Sequence, residues 1–164
     1  MALPPFQALL DAHGRDVHRF LRASVGAVDA DDCYQETWLS ALRAYPKLRD
    51  GSNLRGWLLT IAHRKAIDHV RSRARRAAPV AAAGEEIAAE PVSGGGDLSS
   101  VTADGELWAQ VAALPDKQRT ALALRFIADS AYAEIAEVMG TSEEAARRNV
   151  HEALKRLRKD RPHD

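Results

Sequence analysis

The chain has 164 residues, 46% of them hydrophobic and 28% charged, with 23 basic residues balanced by 23 acidic ones. That is material for one domain or two small ones with a core, and the neutral total carries no global signature of a nucleic-acid partner. No run of about 18 apolar residues exists to cross a bilayer, and the start, MALPPFQALLDAHGRD, lacks the basic and long apolar regions of a secretion signal, so a cytoplasmic protein without membrane insertion is expected.

Cys33 is the single cysteine, which excludes an intramolecular disulfide and a cysteine-cluster zinc site. It is expected to be a buried, inert thiol rather than a redox sensor. No metal and no cofactor is expected.

Charge sorted by segment shows that the neutrality is a cancellation. Residues 1–77 hold 13 Lys/Arg against 8 Asp/Glu, residues 78–105 hold none against 5, and residues 106–164 hold 10 against 10. The middle segment carries Pro79, Pro91, Gly94-Gly95-Gly96 and many alanines, the composition of a flexible acidic linker between two folded units.

Helical periodicity dominates on both sides of this segment. Phe6, Leu9, Leu10, Val17, Phe20 and Leu21 predict an opening helix. DADDCYQETWLSALRAY predicts a second, with Asp29 or Asp31 as N-cap, Trp38, Leu39 and Leu42 turned inward, and Pro46 as the stop. After the turn-rich PKLRDGS, Ser52 or Asn53 can cap a third helix, LRGWLLTIAHRKAIDHVRSRARR.

At about 100° per residue, Leu54, Trp57, Leu58 and Ile61 share one face of this third helix, while Leu59, Ala62, Ala66, Ile67 and Val70 cover much of the other. From Arg64 onward the first face becomes Arg64, Lys65, Asp68, Arg71 and Ser72. The helix is expected to leave a core carrying cations, which is either a phosphate-binding footprint or a solvated basic end favoured by the macrodipole.

Beyond the linker, ELWAQVAALP predicts a short helix stopped by Pro115, and DKQRTALALRFIA a second that Asp116 can cap. YAEIAEVMGTSEEAARRNVHEALKRLRK then has the form of a helix-turn-helix. Ile135 and Val138 point inward, Gly140 supplies the tight turn, and Thr141 with Glu144 makes a capping box. On the last helix Ala146, Val150, Ala153, Leu154 and Leu157 cluster on one side. Arg148, His151, Glu152 and Lys155 face away with Arg147 beside them, as a helix reading a major groove requires.

Together these stretches resemble the extracytoplasmic-function (ECF, group IV) sigma factors of the bacterial sigma-70 family. DADDCYQETWLSALRAYPKLRDGSNLRGWLLTIAHRKAIDHVR is similar to that group's acidic-Asp, Gln-Glu-Thr, Trp-Leu and Ile-Asp-x-x-Arg signature. LPDKQRTALALRFIADSAYAEIAEVMGTSEEAARRNVHEALKRLR is similar to its Leu-Pro, Gln-Arg and helix-turn-helix pattern. The resemblance implies an all-α protein of two small helical domains: sigma domain 2 over 1–77, a flexible acidic linker over 78–105 that threads the polymerase cleft, and sigma domain 4 over 106–164.

It further implies a factor that binds RNA polymerase core and directs promoter-specific initiation. Asp32, Gln35, Glu36 and Trp38 would dock on the coiled coil of the β′ clamp, and the second domain on the β flap. Asn53, with the loop from Pro46, and Arg64, Lys65, Asp68 and Arg71 match the surface that opens and reads the −10 element, capturing unstacked single strand while cations track its backbone. Thr141, Glu144, Arg147, Arg148, Asn149 and His151 match the −35-reading helix. An anti-sigma factor covering both polymerase-binding faces is the form of control implied. The free protein is expected to be a monomer that binds DNA weakly.

Two positions depart from the family pattern. Arg64 stands where Asn is frequent, and Glu152 where Arg is usual, so the promoter sequence is left open. A catalytic role is not expected: His63 and His69 are about 240° apart on their helix and diverge. The alternatives are a stand-alone helix-turn-helix regulator, which would need a dimer surface to read paired half-sites, and a sigma-like protein-interaction adaptor.

Overall fold

Seven α-helices and one 3₁₀ turn make up the computed structural model, which describes residues 3–81 and 103–160, with side chains at 3–77 and 105–160. Most of the expected linker falls outside the described residues, among which no strand occurs.

Helix α1 spans Phe6–Val25 and buries Leu9, Val17, Phe20 and Leu21, all on the stripe the periodicity predicts. It stops at Gly26, whose φ of +88° is a conformation that side chains with a Cβ disfavour; its N–H still donates to the Arg22 carbonyl. The same glycine opens α2, Ala27–Ala44, so neither Asp29 nor Asp31 is the N-cap. Asp29 sits instead in the first turn, where the helix dipole favours a carboxylate.

Helix α2 buries Ala30, Cys33, Thr37, Trp38 and Ala41, with the Thr37 hydroxyl donating to the Cys33 carbonyl at 2.7 Å. Leu39 and Leu42, expected inside, are 52% and 51% exposed. At about 100° per residue both lie more than about 120° around the helix from the Ala30–Cys33–Thr37–Ala41 stripe that α1 and α3 cover. A 3₁₀ turn, Tyr45–Lys47, then closes the helix at Pro46, as expected.

Helix α3, Leu54–Ala81, begins under an Asn53 cap whose Oδ1 accepts from the Gly56 N–H at 3.0 Å. Leu58, Leu59 and Ala62 are fully buried, so its first half is enclosed on both sides. It continues past the boundary expected at residue 77, and α4, Ala103–Ala112, starts three residues before 106. An aromatic chain of Tyr34, Trp38, Phe6, Tyr45 and Trp57 joins α1, α2 and α3 in edge-on and tilted pairs, with centroids 5.4–6.2 Å apart.

Helix α5, Asp116–Phe126, follows Pro115, which holds the cap position in place of Asp116; that carboxylate pairs with Arg119 at 2.8 Å. Helices α6, Tyr132–Met139, and α7, Glu143–Lys159, form the expected helix-turn-helix. Gly140 turns it at φ +64°, and the Thr141 N–H reaches back to the Ala136 carbonyl at 2.9 Å, the Schellman arrangement.

Thr141 is thereby spent in the turn. The extended backbone of an N-cap falls on Ser142, whose Oγ accepts from the Ala145 N–H at 3.1 Å, and the Thr141–Glu144 capping box does not form.

The two helical units pack on one another, α1 against α5 and α3 against α6. Their cores join into one cluster that runs from Leu9, Phe20 and Leu58 to Leu124, Ile135 and Val150.

Candidate nucleic-acid interface

The outward face of α2 carries Asp32, Gln35 and Glu36, all exposed, with Leu39 and Leu42 between and beyond them. Trp38 is not on that face: it is 7% exposed, wedged edge-on between Phe6 and Tyr34. It floors an open apolar groove of about 390 Å³ lined also by Phe6, Leu10, Leu39 and Leu42. Its indole N–H is buried there without an acceptor among the described residues. The face is therefore a carboxylate edge beside an apolar groove.

Cys33 lies beneath it, 2% exposed, its thiol pushed up to about 11 by burial first and then by Glu36, Asp29 and Asp32. A thiol held that far from the thiolate is unreactive at neutral pH, as expected.

On α3, Arg64, Asp68 and Arg71 are exposed and Lys65 half-buried, with Arg73, Arg75 and Arg76 following on the same emerging end. Asp29 at the start of α2 anchors this end: its carboxylate accepts from Arg73 at 2.9 Å and lies 3.2 Å from His69 Nε2. His69 thus faces Asp29 of α2, while His63 is lowered from the ordinary imidazole range by burial and by Arg64. In the loop before α3, the Ser52 N–H donates to Asp50 at 2.9 Å and holds that carboxyl below its usual range. Asn53 is exposed, with its Nδ2 3.5 Å from Glu134 of α6.

On the helix-turn-helix, Arg147, Arg148, His151 and Glu144 are exposed, and Thr141 and Asn149 are partly covered. Arg147 donates to Glu143 at 2.7 Å and stacks with Arg125 on the Tyr132 ring, which orients it along the first turn of α7. Glu143 and Arg147 form an ion pair across the first turn of this helix.

These sets meet only in part. A cleft of about 550 Å³ between α3 and the α5–α7 face is lined by His63 and Arg71 on one wall and Lys117, Thr141, Arg148 and Asn149 on the other. Arg64, Lys65, Asp68, Asn53, Glu144, Arg147 and His151 do not line it. Asp116 and Arg119, which also line the cleft, pair with each other, while among the described residues Arg71, Lys117 and Arg148 have no carboxylate partner, so the cleft carries a net positive charge. No cluster that could hold a metal ion occurs among those residues, and none of their helices is long and apolar enough to cross a membrane.

The family profile of sigma-70 region 2 matches residues 9–76, and that of sigma-70 region 4 matches residues 104–157. The chain is 36% identical over 151 residues to the ECF RNA polymerase sigma factor SigD of Mycobacterium tuberculosis, covering 87% of this chain and 70% of SigD. The chain belongs to the ECF sigma factors. SigC of the same species is 34% identical over 137 residues, covering 82% of this sigma factor and 71% of SigC. Among solved structures, RpoE of Bartonella quintana, crystallised with the anti-sigma factor NepR, matches with a TM-score of 0.72 at 25% identity over 94% of this chain and 97% of that one.

Sequence reasoning missed three features of this sigma factor: the apolar groove beside the α2 carboxylates, the Ser142 cap, and Arg55, which links α3 to α6 by donating to Glu134 at 2.8 Å. Only Ser142 left a signal in the sequence, as a cap-forming residue one place after Thr141. The other two are products of packing.

Proposed function

We propose that the chain, as a sigma factor, docks on polymerase core through the α2 face and on the flap through the domain that begins near α4, and that it reads −10 and −35 elements with α3 and α7 respectively. It acts in the cytoplasm and performs no chemistry of its own, since the polymerase supplies the active site. The observation that carries the reading is the order of two family matches, region 2 over an acidic helix and a helix turning cationic, region 4 over a helix-turn-helix.

Asp32, Gln35 and Glu36 supply polar docking contacts, and Trp38 serves from beneath by shaping the groove. Arg64, Lys65 and Arg71 track the backbone of the unstacked −10 strand, and Asp68 and Asn53 offer hydrogen-bonding groups to its bases. Arg147, Arg148, Asn149 and His151 face the −35 duplex, with Thr141 and Glu144 at the amino end of the reading helix. Residues 78–105 serve as the linker between the two domains. An anti-sigma factor is a fitting partner, since the RpoE chain that shares this fold was solved with one.

The test is co-purification with bacterial core polymerase, wild type against Asp32→Arg/Glu36→Arg, followed by transcription from a pooled promoter library. The expected result is loss of binding in the double variant and wild-type transcripts that start downstream of a shared two-part motif. A folded wild type that fails to bind core polymerase refutes the reading.

A further inference from the structure

Arg71 of the −10-reading set faces Thr141, Arg148 and Asn149 of the −35-reading set across one cleft, yet −10 and −35 elements occupy different turns of one duplex. The described arrangement therefore cannot read both, and something must hold it. The apolar contact of α1 with α5 is one part. Opposing it, Arg71 on one wall and Lys117 and Arg148 on the other bring like charges together without carboxylate partners among the described residues.

The polar contact across the interface is specific. Arg55, on the first turn of α3, donates to Glu134 of α6 at 2.8 Å, and its Nε lies 3.6 Å from Asp16 of α1. Both side chains of the pair are three-quarters or more covered, at 24% and 19% exposed. Glu134 is held in place from its own side: the buried Ser130 hydroxyl donates to it at 2.8 Å, and Arg125 donates to the Ser130 carbonyl at 3.1 Å. Its second oxygen faces Asn53 at 3.5 Å. Glu134 adds nothing to the core of its own domain, which takes Ile135, Ala136 and Val138 from α6.

We propose that Glu134 is a built-in clasp between the two domains: its carboxylate pairs with Arg55 and faces Asn53, one residue of the −10-reading set, where nucleic acid would present an acceptor, and so keeps the free chain closed. A partly desolvated, charge-assisted bond of this length is strong enough to bias two packings and weak enough to be displaced when polymerase contacts pull the domains apart. The proposal rests on the sigma-factor reading only for what the covered surfaces do. The clasp itself is a statement about domain closure.

The full chain is labelled for energy transfer at Arg43→Cys in α2 and Arg158→Cys in α7, both exposed positions; Cys33 stays unlabelled because its thiol is buried and pushed up. Glu134→Gln and Arg55→Glu are expected to lower the transfer, and the exchange Arg55→Glu/Glu134→Arg to restore it, with helical content by circular dichroism unchanged throughout. Free Glu134→Gln protein should bind pooled random-sequence single-stranded DNA about tenfold more tightly than wild type, the ratio one charge-assisted bond controls. Transfer and affinity both unchanged in Glu134→Gln would overturn the proposal, as would an exchange variant that stays open. A wild type that does not bind core polymerase, with the transfer changing as expected, would refute the sigma reading and uphold the clasp.

Discussion

Leu39 and Leu42 separate a docking surface from a core. Each is about half exposed on the same face of α2 as Asp32 and Gln35, and each lines the groove above Trp38. Fully burying a leucine is worth about 1.5–3 kcal/mol, so covering the exposed half of each on a partner contributes about 1 kcal/mol, and the pair about 2 kcal/mol. Leu39→Ser/Leu42→Ser should therefore weaken binding to core polymerase by roughly 30-fold.

The same change should leave the fold nearly as stable, at about 0.5 kcal/mol per surface site. Leu58→Ala, at a fully buried position, should by contrast cost about 2–5 kcal/mol. Anisotropy titration of labelled protein with core polymerase, beside thermal melts of the free chain, reads both quantities. A large fall in melting temperature with unchanged polymerase affinity would show that the two leucines belong to the core and that the groove is not a docking surface.

Ser142→Ala removes the observed α7 cap and should cost about 1 kcal/mol, a fall of about 2–4 °C in melting temperature for a chain of this size, while Thr141→Ala should cost clearly less. The reverse order in thermal melts would move the cap back to Thr141. His63 has a folded-state pKa below the ordinary 6.5, caused first by burial and then by Arg64, so the unfolded chain binds its proton more readily. Stability should then decline as pH falls through 6.5 toward the depressed folded value, and His63→Asn should flatten that part of the profile in urea titrations. An unchanged slope would place the pH dependence on other groups.

Much of this protein was legible in one dimension because helices report themselves locally. The spacing of Leu9, Val17, Phe20 and Leu21, the stop at Pro46, the Asn53 cap, the change of α3 from apolar to cationic after Ile61 and the αL turn at Gly140 all depend on residues within a few positions of one another. The order of the two signatures was sufficient for the family, since it needs residue identities and not contacts.

Where α2 and α5 begin was misjudged, because Gly26 and Pro115 stop and start helices through their backbone and left Asp29 and Asp116 free for ion pairs. Whether Leu39 and Leu42 are inside or outside depends on which side of α2 its neighbours cover, and hydrophobicity carries no direction. The meeting of Arg55 with Glu134, 79 positions apart in the chain, and of Arg71 with Arg148 across one cleft follows from how two domains pack. The sequence by itself determined the helices and their charge; only the tertiary structure determined which charged faces oppose one another, because that is set by long-range burial that no local pattern encodes.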